Sequence, residues 1–309
     1  MAFDIATTLK TPTEAKLRLY VCKARGKPRG VVQINHGLAE HAGRYALFAS
    51  YLAERGFHVY AHDHRGHGHT EAPDAPLGAF GAGPAVEKVV EDVAAVHRRI
   101  RKMDGDLPMI VFGHSMGAMV GLVSVMRQAD GIAGAALWNM PYANGLLARA
   151  AQLVLAWERF RLGSDVPSRL LPRLTFEPWA RAVPDARTPF DWLSTDPKAI
   201  EDYLNDPLCG WSPAIGMWRD IFEFNLMITS RDAMDAVPRP LPIQLVGGGD
   251  DPSTDFGKAV YRLEKTLRAG GFSNLQTTIY PNFRHESLNE KDSRTAMRDF
   301  THWAKRMVG

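Results

Sequence analysis

Cysteine is nearly absent. Cys22 and Cys209 are the two in 309 residues, so no disulfide framework holds the fold and a reducing, cytoplasmic setting is expected. Long apolar runs are missing too: a membrane-spanning helix needs roughly 18 or more consecutive apolar residues, and no such stretch occurs. The opening "MAFDIATTLKTPTEAK" lacks the basic-then-apolar pattern of a secretory signal. Charge of one sign is scarce, with 37 Lys and Arg against 34 Asp and Glu and no long block of like charges. A nucleic-acid footprint needs a clustered basic excess, so nucleic acid is not an expected partner, and contact with a membrane surface is expected to be transient at most.

What is present is an ordinary apolar content of 45%, ample for a core, arranged in alternating strand and helix patterns. "LRLYVCK" (17–23), "GVVQINHG" (30–37), "FHVYAHD" (57–63), "PMIVFG" (108–113), "IAGAALW" (132–138), "LPIQLVGG" and "LQTTIYP" read as strands. Between them, helices are expected over 44–56, 84–100, 116–128, 255–269 and 292–306. In the first, Leu47, Tyr51 and Leu52 should share the buried face. In the second, Val86, Val89, Val90, Val93 and Ile100 form a stripe behind Pro84. Alternating strands and helices imply a mostly parallel central sheet with helices on both faces.

The alternation lapses between Pro141 and Val237. A structureless loop of that length is improbable inside a compact domain, so residues 141–237 are expected to be an inserted helical cap on a core made of 1–140 and 238–309. The insertion holds five of the seven tryptophans: Trp157, Trp179, Trp192, Trp211 and Trp218. They either staple the insertion to the core or line an apolar substrate tunnel, for which Trp157, Trp179, Trp211 and Trp218 are the candidates.

"VFGHSMGA" carries G-x-S-x-G between a strand pattern and a helix pattern, the context of a nucleophile elbow at Ser115. The tight turn demands small flanking residues and leaves the Met116 N–H free at a helix N-terminus to meet an oxyanion. A serine needs a base and the base an orienting acid, in the chain order serine, acid, histidine. Downstream of Ser115 stand His285, in the loop "YPNFRHESLNE" after the last strand, and His302, inside a terminal amphipathic helix. His285 is the candidate base. The acid lies in the loop after "LPIQLV", where strand length favours Asp251 and leaves Asp250 as the alternative. "INHGLAEH" supplies a second oxyanion donor, the N–H of Leu38, with Gly37 expected to let the chain approach the serine closely.

"AHDHRGHGHT" sets His62, His64 and His67 close together, a pattern like a zinc loop. In such a loop a carboxylate stands just before the last histidine, where this chain has Gly66, and no second ligand cluster follows. The remaining D-x-R-G-x-G-x-T, Asp63 to Thr70, reads as a glycine-hinged loop with Asp63 and Arg65 as a polar brace. No metal and no cofactor is expected.

Together "HGLAEHAGRY", "YAHDHRGHGHT", "FGHSMGA", "GGGDDP" and "YPNFRHE" resemble the monoacylglycerol lipase and lysophospholipase group of α/β-hydrolases, which is grouped with serine aminopeptidase-like hydrolases. Thr70 departs from that pattern, which usually has Ser there, but keeps the hydroxyl. The resemblance implies Ser115 as nucleophile, Asp251 as acid, His285 as base, the Leu38 and Met116 N–H groups as oxyanion hole, and residues 141–237 as lid. The expected activity is hydrolysis of carboxylic esters, foremost monoacylglycerols or lysophospholipids, through an acyl-serine. The alternatives are a short-chain carboxylesterase, thioesterase or amidase on the same triad, a non-catalytic ligand binder, and a metal-dependent hydrolase built on His62, His64 and His67.

Overall fold

A computed structural model describes residues 3–143, 145–230 and 234–309. Eight strands form one sheet: β1 (Ile5–Lys10), β2 (Lys16–Cys22), β3 (Gly30–Asn35), β4 (Phe57–His62), β5 (Met109–His114), β6 (Ile132–Trp138), β7 (Ile243–Gly248) and β8 (Leu275–Tyr280). Their order is β1-β2-β4-β3-β5-β6-β7-β8. β1 and β2 pair antiparallel, β2 meets β4 antiparallel, and β4 through β8 run parallel. The C-terminal ends of β3, β5, β6 and β7 therefore lie along one edge, where the loops bearing Leu38, Ser115, Asn139 and Asp251 emerge.

Alternation along the strands feeds two cores. In β3, Val31 enters the cluster on one face while Val32 and Ile34 enter the other. The first face is covered by α2 (Ala85–Asp104), α3 (Met116–Arg127) and α9 (Lys258–Ala269), which contribute Val89, Val93, Val120, Leu263 and Leu267. The second is covered by α1 (Ala46–Ala53) and α10 (Ser293–Val308), where Phe48 and Phe300 pack on Phe112 and Trp138, and Trp303 packs on Phe300. Phe300 is fully buried, and burying such a side chain contributes about 2–3 kcal/mol.

Three expectations are revised. The α1 face that reaches the core is Phe48, Ala49, Leu52 and Ala53, while Leu47 is 44% exposed and Tyr51 half-buried. A turn of 3-10 helix over Ala42–Tyr45 rotates the helix relative to one counted from Arg44. The helix expected from residue 255 begins at Lys258, because a 3-10 turn at Pro252–Thr254 and the left-handed Gly257 (φ +83°) intervene. Val90 is half-buried at the margin of the α2 stripe rather than within it.

Between β6 and β7 the chain is helical: α4 (Gly145–Leu162), α5 (Leu171–Leu174), α6 (Phe176–Arg181), α7 (Pro197–Asn205) and α8 (Ile215–Ile228). α8 anchors this insertion, burying Trp218, Ile221 and Phe224 in the same core that α3 enters. Among the described residues no helix is long and apolar enough to cross a membrane.

Candidate active site

Ser115 stands at the junction of β5 and α3 with φ 54° and ψ −121°, a conformation that β-carbon sterics penalise. The flanking glycines make the turn possible. A Cβ on Gly113 would lie 2.2 Å from the Gly117 carbonyl oxygen, and one on Gly117 would lie 2.2 Å from the Asn35 carbonyl oxygen. Met116 begins α3, so its N–H is one of the donors a helix N-terminus leaves without an intrahelical partner.

His285 follows β8 and is buried, as is Asp251 after β7; Asp250 is exposed. His285 Nδ1 lies 2.9 Å from Asp251 Oδ2. Burial drives the Asp251 carboxyl upward, but the adjacent His285 and the hydrogen bonds from His285, Ser253 and Asn139 outweigh it and hold the group below the usual carboxylate range. Asn139 Nδ2 donates to Asp251 Oδ2 at 3.2 Å, and Ser287 Oγ fixes Asn139 by donating to Oδ1 at 2.8 Å. His302 is exposed on α10, remote from this arrangement.

Leu38, Ser115, Met116 and His285 line one cavity of about 410 Å³. Among the described residues Ser115 Oγ has no hydrogen bond to the imidazole, so the site brings the two groups to one chamber without closing that contact; such contacts often tighten only when substrate binds.

A buried polar network behind the elbow holds the chamber. His114 Nε2 faces the His285 carbonyl oxygen at 3.0 Å and Nδ1 faces Glu40 Oε1 at 3.3 Å. Both partners are acceptors, so the ring satisfies them together as an imidazolium. Burial opposes the charge, but the hydrogen bond and charge of Glu40 prevail and raise His114 above the ordinary histidine range. Glu40 is pulled up by burial and down, further, by His114 and Arg44, ending well below the usual carboxylate range. It also accepts from Gly37 N at 2.6 Å and Tyr45 Oη at 2.7 Å. Arg44 donates to Glu40 Oε2 at 2.7 Å and grips Glu286 with two bonds at 2.6 and 2.7 Å. The Glu40-x-x-x-Arg44-Tyr45 pattern thus fixes the turn that presents Leu38. Gly37 is needed here for a different neighbour than the serine: its Cβ would lie 2.7 Å from Glu40 Oε1 and 3.0 Å from His114 Nδ1.

The cavity walls come largely from the insertion. Trp179, Trp211 and Trp218 line it, and Trp157 does not: it lies on α4, 53% exposed and beneath Arg161. Trp192, not among the tunnel candidates, is the tryptophan that meets the candidate base, with ring centroids 5.0 Å from His285 and 4.9 Å from Trp179. Phe176 stacks with Trp192 at 6.1 Å and tilts against Trp218 at 5.4 Å. Glu40, Tyr203, Ser212 and Glu286 add polar groups to the lining.

His62, His64 and His67 are fully buried, and among the described residues their nitrogens do not gather within 4.8 Å of one another. Among the described residues the one trio of potential ligand atoms within 4.8 Å of one another is His41, Asp206 and Cys209. There His41 Nδ1 accepts from Gly43 N at 3.2 Å, so Nε2 carries the proton toward Asp206 at 2.8 Å, the reverse of what a metal would need. His67 Nδ1 donates to the Arg65 carbonyl at 3.0 Å, and its ring meets Trp211 edge-on at 4.8 Å. Asp63 accepts from Ala42 N and His69 N at 2.9 and 2.8 Å, while Arg65 bonds Asp92 at 2.8 Å and the Phe80 carbonyl at 3.0 Å. The loop is braced by both residues, toward separate neighbours.

The chain is similar to known proteins over most of its length. The chain is 27% identical over 278 residues to the monoacylglycerol lipase of Mycolicibacterium smegmatis, covering 89% of this chain and 88% of that one. It is 34% identical over 279 residues to a monoglyceride lipase homolog of monkeypox virus, covering 89% of each. A thermostable carboxyl esterase of Bacillus coagulans, solved in complex with glycerol, superposes with a TM-score of 0.89 over 100% of both chains at 26% identity. The sequence profile of the serine aminopeptidase S33 family matches residues 26–292, and with the sheet, the elbow and that extent of match the chain belongs to this family of α/β-hydrolases.

Proposed function

We propose that the protein is a serine hydrolase of monoacylglycerols or lysophospholipids, with Ser115 as nucleophile, His285 as base and Asp251 as orienting acid. The observation that carries this reading is the cavity at Ser115, lined by Phe176, Trp179, Trp192 and Trp218 together with the polar Glu40, Tyr203 and Glu286. A chamber that joins a large aromatic surface to a few polar groups suits a fatty acyl chain joined to a hydroxylated alcohol, and a structurally similar esterase was solved in complex with glycerol.

His285 Nε2 takes the Ser115 hydroxyl proton as Oγ attacks the ester carbonyl. The Leu38 and Met116 N–H groups meet the developing oxyanion, each worth on the order of 10²–10³ in rate where such donors have been removed. The proton passes to the departing alcohol, leaving an acyl-Ser115. Water, deprotonated by His285, then releases the acid. Asp251, ionised and held by Asn139, fixes the tautomer that leaves Nε2 free.

Residues 141–237 act in this reading as a cap over the chamber. Leu146, Leu153 and Phe160 on α4 are 81%, 74% and 90% exposed, which supports transient contact of the cap with a lipid surface. The two cysteines are unpaired, which supports a cytoplasmic location. The test is a panel of monoacylglycerols, lysophospholipids and p-nitrophenyl esters of graded chain length. Rates should rise with acyl length and with a hydroxylated alcohol; a flat profile, or activity confined to acetate, contradicts the lipid assignment.

A further inference from the structure

The 3-10 turn Pro252–Thr254 places Ser253 against both the candidate acid and the candidate base. Ser253 N donates to Asp251 Oδ1 at 2.9 Å, an ordinary turn contact. Its hydroxyl does more: Oγ donates to Asp251 Oδ1 at 2.7 Å and lies 2.7 Å from His285 Nδ1. A hydroxyl has one proton. The Asp251 carboxylate is acceptor-only and buried, so that proton is committed to Oδ1, and Oγ can meet Nδ1 only as an acceptor. Nδ1 must then carry the imidazole proton, shared between Asp251 Oδ2 at 2.9 Å and Ser253 Oγ at 2.7 Å.

We infer that Ser253 is a positioning residue for the hydrolysis, a fourth polar member that locks the tautomer and orientation of His285 through a shared Nδ1 proton. This rests on the roles proposed above for Ser115, His285 and Asp251. Two acceptors on the Nδ1–H restrain the orientation of the ring more tightly than one carboxylate oxygen alone. They also divide the charge of the imidazolium that forms when the serine proton is taken up. The hydroxyl reaches the reaction only through His285, so its effect belongs on kcat and on the pH profile of the rate, and not on substrate affinity.

The experiment compares Ser253→Ala, Ser253→Cys and Ser253→Thr in the full chain, with thermal melts to confirm folding. Cysteine keeps the side chain's size without a good hydroxyl acceptor, and threonine keeps the hydroxyl. The Ala and Cys variants should lose about tenfold or more in kcat, the scale of a lost hydrogen bond to a charged group, with KM unchanged. The acid limb of kcat/KM should move to lower pH, because the imidazolium has one acceptor fewer. The Thr variant should restore both. An effect on KM instead, an unmoved acid limb, or activity within twofold of the parent in both Ala and Cys variants overturns the inference while leaving the serine mechanism intact. Turnover in the parent that does not depend on Ser115 overturns the mechanism itself, and the inference with it.

Discussion

His114 Nε2 meets the carbonyl oxygen of His285 at 3.0 Å, so the residue that precedes the elbow serine also holds the backbone of the candidate base. Its Nδ1 is engaged by Glu40, which in turn holds Gly37 N, so one imidazolium joins the elbow, the oxyanion turn and the base loop.

Replacing His114 by Gln removes that charge and leaves Glu40 buried beside Arg44 alone. Breaking one partner of a buried ion pair costs about 3–5 kcal/mol, so His114→Gln should lower the urea midpoint strongly and reduce kcat/KM. The pH sign is distinctive. His114 is raised in the folded state, so the stability it contributes is fully present below the ordinary histidine value and is lost as pH rises through its raised folded value. Melting temperature followed upward from neutral pH should fall in the parent through that window and fall less in the variant.

Five other buried histidines act in the opposite direction. Burial lowers His36 and His97 to about 4, His62 and His67 to about 3, and His64 well below the ordinary histidine value, so all five are neutral in the fold. The unfolded chain binds protons below about pH 6.5 that the fold refuses, which makes stability rise with pH across that range. At pH 5 each such group costs roughly 2 kcal/mol. Acid unfolding followed by circular dichroism should therefore begin close below pH 6.5 and be steep, and His62→Asn with His67→Asn should move its onset to lower pH.

Gly117 leaves no room for a side chain, since a Cβ would fall 2.2 Å from one backbone oxygen and 2.4 Å from another. Gly117→Ala should force α3 and β3 apart, cost about 3 kcal/mol as an overpacked site does, and abolish ester hydrolysis. Equilibrium denaturation and a p-nitrophenyl ester assay check both outcomes.

Trp218 lines the cavity and meets Phe176, whereas Trp192 meets His285. Trp218→Ala should lower kcat/KM for long-chain esters by about tenfold or more, because the acyl chain then buries less apolar surface against the wall, and change short-chain turnover much less. Trp192→Ala should lower both. A graded series of p-nitrophenyl esters separates the two.

The elbow is legible in the sequence because its chemistry is local: a strand, G-x-S-x-G and a helix are contiguous, and Gly113 and Gly117 sit where the backbone allows no Cβ. Strand length alone favours Asp251 over Asp250, and the fold buries the one and exposes the other. What escapes the sequence depends on chain segments far apart along it. Trp192 and Ser253 each meet His285 across long sequence separations, and nothing in either stretch announces that neighbour. Glu286 becomes visible only through Arg44. Trp157 is misplaced by sequence reasoning because composition shows that an insertion is aromatic and not which face of α4 turns inward. β1 goes unseen because Ile5–Lys10 is an edge strand with four of its six side chains exposed and none buried, and so lacks a buried apolar pattern.

The central claim is that Ser115 is the acylated residue. The most direct measurement is intact-mass and peptide-level mass spectrometry of the protein after a fluorophosphonate probe, paired with ester hydrolysis by Ser115→Ala. The account predicts a single adduct on the peptide containing Ser115, none in the Ala variant, and loss of hydrolysis by several orders of magnitude. An adduct elsewhere, or hydrolysis that survives in Ser115→Ala, would contradict it.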